Sequence, residues 1–173
     1  MPIIPDHKDW TWVLQRPCPE CGFDASAATT PATAPGILGS MLPRWRSALR
    51  RPDVADRPDE NTWSVLEYAC HVRDVFTLFD HRLSLMITVE DARFADWDQD
   101  LAAVEKDYAN ADPAEVSAEM TVEGEQIAAS FGRVPEDQWG RKGTRSNGSE
   151  FTVLTFAQYF VHDVVHHLHD VDG

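Results

Sequence analysis

The chain has 173 residues, enough for one domain with a sizeable core. A hydrophobic fraction of 43%, with six Trp and eight Phe, excludes an intrinsically disordered chain. Against 15 basic residues stand 29 acidic ones, a formal net charge of −14 that repels phosphate backbones and anionic lipid, so neither nucleic acid nor a membrane is an expected partner.

The start, Met1-Pro2-Ile3-Ile4-Pro5-Asp6-His7-Lys8, lacks a basic stretch followed by an apolar one, and no later run approaches the roughly 20 apolar residues of a membrane helix. A cytoplasmic location is expected. In that setting Cys18, Cys21 and Cys70 are not expected to form a disulfide framework. Residues 1–34 read as an irregular extension laid over the domain, with turn chemistry at Pro17-Cys18-Pro19-Glu20-Cys21-Gly22.

Residues 35–173 read as one helical domain. A first helix is expected over about 35–51, on the apolar stripe Ile37, Leu38, Met41, Leu42, Trp45 and Leu49, with a kink at Pro43 and a stop at Pro52. The second starts near Asn61 or Thr62, or at the capping-box sequence Ser64-Val65-Leu66-Glu67, and runs to about 88. After a polar connection over 89–99, a short helix is expected over about 99–108. Asp112 as N-cap, Pro113 and Glu115 open the third main helix, which Gly132 and Pro135 end after about Phe131. Gly140 to Ser149 form a glycine-rich basic loop in which Asn147-Gly148 is a turn signal for a short hairpin. The last helix begins near Thr152. Four main helices with no β-rich region predict an all-α four-helix bundle.

The last helix carries the sharpest chemical signal. His162 and His166 are four apart, so their rings project from one face, within reach of a single ion. Along the helix His162, His166 and His169 fall beside the core stripe, while Asp163 and His167 point elsewhere. His71, on the second helix, is the best third ligand, and His169 is a substitute. His7 and His81 read as surface residues. Three histidines would leave a coordination position for substrate, the usual arrangement of a catalytic metal.

Two segments resemble the DinB/YfiT-like superfamily. Trp63-Ser64-Val65-Leu66-Glu67-Tyr68-Ala69-Cys70-His71 resembles its W-S-x-x-E-x-x-x-H signature, and His162-Asp163-Val164-Val165-His166-His167 its H-x-x-x-H-H signature. The resemblance implies a four-helix bundle with a long crossover connection between the second and third helices. It also implies a divalent metal, zinc or nickel, on His71, His162 and His166. Relatives include S-transferases that use mycothiol or bacillithiol and a mycothiol-dependent maleylpyruvate isomerase. The last helix of that isomerase branch carries E-x-x-x-H, from which this chain departs by placing His162 in the Glu position.

The leading functional expectation is a transferase acting on a small-molecule substrate with a low-molecular-weight, mycothiol-like thiol as co-substrate. A metal-assisted hydrolase or isomerase is the alternative, and a non-catalytic metal- or redox-sensing module using Cys18 and Cys21 is a third. That C-x-x-C fits half a zinc ribbon, a redox pair, or a turn with incidental thiols. Cys70 reads as a buried structural thiol. Arg141, Lys142 and Arg145 either contact the thiol or form a solvated turn, and Asp74 and Asp163 are either partners that orient histidines or surface carboxylates. Bundles of this kind often pair, so a homodimer and a monomer both stay open.

Overall fold

Local sequence signals start the long helices. The computed structural model describes Ile3 and residues 8–173, and His7 lies outside the described residues. Among these it has six α-helices: α1 (Ala25–Ala28), α2 (Ala34–Ala48), α3 (Val65–Thr88), α4 (Gln99–Glu105), α5 (Pro113–Gly132) and α6 (Val153–Asp170). At the start of α3 the Ser64 hydroxyl accepts from the Glu67 N–H at 3.2 Å, and the Ser64 N–H donates to the Glu67 carboxylate at 2.9 Å. Thr152 and Thr155 make the same reciprocal pair at the start of α6. The Asp112 carboxylate accepts from the Ala114 and Glu115 N–H groups at the start of α5. Each cap satisfies backbone donors that helix geometry leaves unpaired, worth about 1 kcal/mol apiece. α2 runs through Pro43 without ending there.

The four long helices form the bundle: α5 packs on α2 and α3, and α6 packs on the same two. Their apolar stripes meet in a core containing Trp45, Phe76, Phe131 and Phe160, none more than 1% exposed. Phe79 stacks on Phe156 with centroids 4.6 Å apart and on Phe160 at 5.0 Å, tying α3 to α6. Gly124 permits the close approach of α5, since a Cβ there would lie 2.9 Å from the Phe76 ring and collide with Leu42.

The all-α expectation needs one amendment. A small sheet of order β1-β2-β3 caps one end of the bundle, formed by Ala92–Phe94, Lys142–Arg145 and Glu150–Thr152. β2 and β3 are the antiparallel hairpin expected around Asn147-Gly148, where Gly148 takes φ +93°. β1 comes from the connection that had read only as polar, and pairs in parallel with β2, Ala92 opposite Gly143 and Phe94 opposite Arg145. Three residues are too few for β1 to show a period of two, which is why this pairing is invisible locally.

The N-terminal segment is more ordered than an irregular extension. It contains a 3₁₀ turn at Trp10–Leu14, capped by the Asp9 carboxylate, and α1, capped by Asp24. Both pack on α6. Val13 and Ala25 are buried in that contact. No helix of the described residues is long and apolar enough to cross a membrane.

Candidate metal centre

Where α3 and α6 face each other, His71, Asp163 and His167 bring one ligand atom each to within 4.8 Å of one another. One Asp163 oxygen lies 3.6 Å from His71 Nε2, and the other lies 3.6 Å from His167 Nε2. The second ring nitrogen of His167, Nδ1, is 3.0 Å from the Asp170 carboxylate. That bond holds the ring with Nε2 turned toward Asp163.

The W-S-x-x-E signature builds the support for His71. Ser64 and Glu67 cap α3, and Arg57 donates from Nε to Glu67 at 2.9 Å, with a second, shorter contact from its Nη2. Glu67 is 3% exposed. Burial alone would raise its carboxyl, but the Arg57 charge and the Ser64 N–H outweigh that and hold it below the ordinary value. Trp63, fixed beside this cap, lies against the His71 ring at 5.5 Å, and Trp97 stacks on it at 5.5 Å and 19°. His71 is 1% exposed.

Electrostatics at His71 and Asp163 suit a cation. Burial lowers the His71 pKa, keeping the ring in the neutral form that binds metals. Burial would raise Asp163, but His167 and His71 outweigh it and hold the carboxyl far below the carboxylate range. Burial would likewise lower His167, but Asp163 and then Asp170 push it up to about 9. Among the described residues, both His71 nitrogens and Asp163 Oδ2 are buried without a hydrogen-bond partner. Orphaned donors and acceptors of this kind are costly, and a divalent ion would satisfy two of the three atoms at once. The residues fit the metal that the family resemblance implies.

The expected ligand set is divided by the fold. His71 lies with Asp163 and His167, whereas His162 and His166 lie with Cys18 and Cys21, whose four ligand atoms are also within 4.8 Å of one another. His71, His162 and His166, the ligand set that the resemblance implies, are therefore divided between two clusters among the described residues. The physical reason is helical rotation. His162/His166 and Asp163/His167 are both i, i+4 pairs, offset by one residue and so by about 100° around α6. The face toward α3 is that of Asp163 and His167. Their signal was present in sequence: read one residue further along, the E-x-x-x-H pattern becomes Asp163-x-x-x-His167.

Both clusters border one cavity of about 1000 Å³. Its wall includes Trp10 and Glu20 from the N-terminal segment, Trp63 and Tyr68 from the start of α3, and Asp96 to Leu101 before and within α4. Arg145, the last residue of β2, lines it too, with its guanidinium 5.6 Å from the centre of the Tyr159 ring and Nε 3.5 Å from Asp96. Of the three basic loop residues, Arg141 instead donates to the Met86 carbonyl at 2.6 Å, and Lys142 is exposed. Asp74 does not orient a histidine; it accepts from Lys106 at 2.7 Å and from the Tyr108 hydroxyl at 2.5 Å. Cys70 is buried, with Sγ 4.0 Å from the Tyr108 carbonyl. His81 and His169 are exposed, and His169 joins neither cluster.

The family model described as the DinB superfamily matches residues 39–171. Among solved structures the chain is similar to YfiT from Bacillus subtilis, described as "a probable metal-dependent hydrolase with an unusual four-helix bundle topology". That similarity has a TM-score of 0.70 at 17% identity and covers 82% of this chain and 85% of YfiT, a likeness of fold. No curated protein matches the chain in sequence.

Proposed function

The chain belongs to the DinB superfamily, and on that premise we propose that it is a metal-dependent enzyme with His71, Asp163 and His167 as its ion-binding residues. The observation that carries this reading is the convergence of His71 Nε2 and His167 Nε2 on the two Asp163 oxygens, at 3.6 Å each, beside a large cavity. Three protein donors are the number that leaves a position for substrate. A bound divalent ion of the zinc or nickel kind would supply Lewis acidity there.

The chain's own residues do the rest. Asp163 would offset one positive charge of the ion, and His71 and His167 would hold it through Nε2. Asp170 faces His167 Nδ1, and since the ring is held protonated beside Asp163 and Asp170, binding an ion through Nε2 would release the proton from that nitrogen. Trp63 and Trp97 cover the His71 ring and keep water from behind the site. Arg145 presents a cation at the cavity wall that suits a carboxylate or a polar sugar-like group.

The finer reading is transfer of a low-molecular-weight, mycothiol-like thiol to a small electrophilic substrate. A cavity of about 1000 Å³ is at the upper end for small-molecule sites, which supports two molecules held together. The hydrolase description of YfiT supports a second reading, thiol-independent hydrolysis. Metal-loaded protein offered an electrophile with and without a panel of small thiols separates them. Conjugation that requires a thiol, and that falls at least about 100-fold in Asp163→Asn, is expected. Turnover unchanged by removing every thiol would transfer the assignment to hydrolysis. Asp163→Asn retaining full turnover would end the metal-site reading.

A further inference from the structure

Cys18 and Cys21 remain outside the chemistry assigned to His71, Asp163 and His167, yet the fold seats both thiols against histidines far away in sequence. Cys18 Sγ is 3.6 Å from His166 Nδ1, and Cys21 Sγ is 3.8 Å from His162 Nε2. In a tetrahedral zinc site, Zn–S bonds of about 2.3 Å and Zn–N bonds of about 2.0–2.1 Å place neighbouring sulfur and nitrogen ligands about 3.6 Å apart. The observed pairs are already at that spacing. All four ligand atoms fall within 4.8 Å of one another, and the two cysteines are free thiols.

Each half of the cluster has its own local reason. Cys18 to Phe23 form a knuckle: the Gly22 N–H donates to the Cys18 carbonyl at 2.8 Å, and the Cys18 N–H to the Phe23 carbonyl at 2.9 Å. Gly22 closes it with φ +73°, where a side chain would be strained. On α6 the i, i+4 spacing aligns His162 and His166. The ring nitrogen of His166 that faces away from Cys18, Nε2, has the Glu20 carboxylate at 3.5 Å and Asp170 at 3.7 Å, acceptors of the kind that orient metal-binding histidines. Trp10 packs on both rings, at 5.0 and 5.8 Å.

We propose that Cys18, Cys21, His162 and His166 form a closed, structural zinc-type site that staples the N-terminal segment to α6 and so fixes one wall of the cavity. Two thiolates, two neutral imidazoles and a divalent ion sum to zero charge, which suits a position where Cys18, His162 and His166 are all buried. Four protein ligands leave no position for substrate, so this ion is not the catalytic one. The segment is also tied to the helix by Trp10 on the two rings, by the buried Val13 and Ala25, and by Gln158 Nε2, which donates to the Thr29 carbonyl at 3.2 Å and the Ser26 carbonyl at 3.4 Å. The cavity residues Trp10 and Glu20 depend on this attachment, Glu20 lying inside the knuckle itself.

The site stands independently of the one at His71. Reduced wild-type protein loaded with cobalt(II) is expected to show thiolate-to-cobalt charge-transfer absorption in the near ultraviolet. Cys18→Ser/Cys21→Ser should lose that absorption and one equivalent of zinc, while Asp163→Asn keeps it. Absence of the thiolate bands in the wild type, or an unchanged zinc content in the double variant, would overturn the site. Proteolysis of wild-type protein tests the staple without any variant. Zinc-loaded protein should resist cleavage within residues 8–33, and chelated protein should be cut there at least tenfold faster. Equal cleavage rates would overturn the structural role.

Discussion

His166 and His167 are consecutive on α6 yet aim their rings into different ligand clusters, 5.8 Å apart between centroids and at 80° to each other. One turns toward the Cys18-Cys21 knuckle and the other toward His71 on α3. Asp170 sits under both, 3.7 Å from His166 Nε2 and 3.0 Å from His167 Nδ1. A single helix thus presents two faces of metal-type ligand atoms that share one carboxylate.

Asp170 is accordingly the residue whose loss touches both clusters without removing a ligand. Asp170→Asn should weaken zinc affinity about 10–100-fold at the His167 site, the usual cost of removing a carboxylate that orients a ligating histidine. Competition against a chelator of known affinity measures it. Unchanged affinity would show that His167 needs no such support.

Arg145 tests the substrate side of the cavity. A charged hydrogen bond is worth about 1.5–3 kcal/mol, so Arg145→Ala should raise KM for the thiol or acceptor about 10–100-fold, with a smaller change in kcat. A fall in kcat alone, with KM unmoved, would remove Arg145 from substrate binding.

Glu67 lies behind the site and holds α3 in place. Glu67→Ala removes the reciprocal cap with Ser64 and leaves Arg57 without its carboxylate. The expected loss is about 2–3 kcal/mol of folding stability, with Glu67→Gln recovering part of it by keeping the cap acceptor. Denaturant unfolding at neutral pH gives both numbers.

Asp74 supplies a pH-dependent component. Burial would raise its carboxyl, but Lys106, the Tyr108 hydroxyl and Arg73 together hold it below the ordinary value. A depressed carboxyl contributes stability that is present above the unfolded pKa of about 3.9 and is lost as pH falls through the folded value. Wild-type stability should therefore drop below about pH 4, and Asp74→Asn should show a flatter acid limb, with a penalty at neutral pH of about 1–3 kcal/mol for the partners left unpaired. Urea midpoints at pH 7, 4 and 3 check the shape. Parallel curves for the two proteins would contradict it.

Much of the fold was legible because its signals are local. Ser64-x-x-Glu67, Asp112-Pro113 and Thr152 start their helices within the span of a single turn, and the chain's 3.6-residue apolar rhythm places Leu38 and Trp45 in the core without knowledge of any neighbour. The Asn147-Gly148 hairpin was readable for the same reason. The β1–β2 pairing was not, since it joins Ala92 to Gly143 across about 50 residues by backbone bonds that carry little sequence specificity.

The candidate ligands divide along the same line. The sequence by itself determined that α6 would bear histidines and a carboxylate at ligand spacing, and that His71 would sit near the start of α3. It also determined that a C-x-x-C would precede the bundle. Only the tertiary structure decided the partnership. Two i, i+4 pairs one residue apart are equivalent on an isolated helix, and the rotation at which α6 packs turns Asp163 and His167 to α3 and leaves His162 and His166 to the N-terminal knuckle.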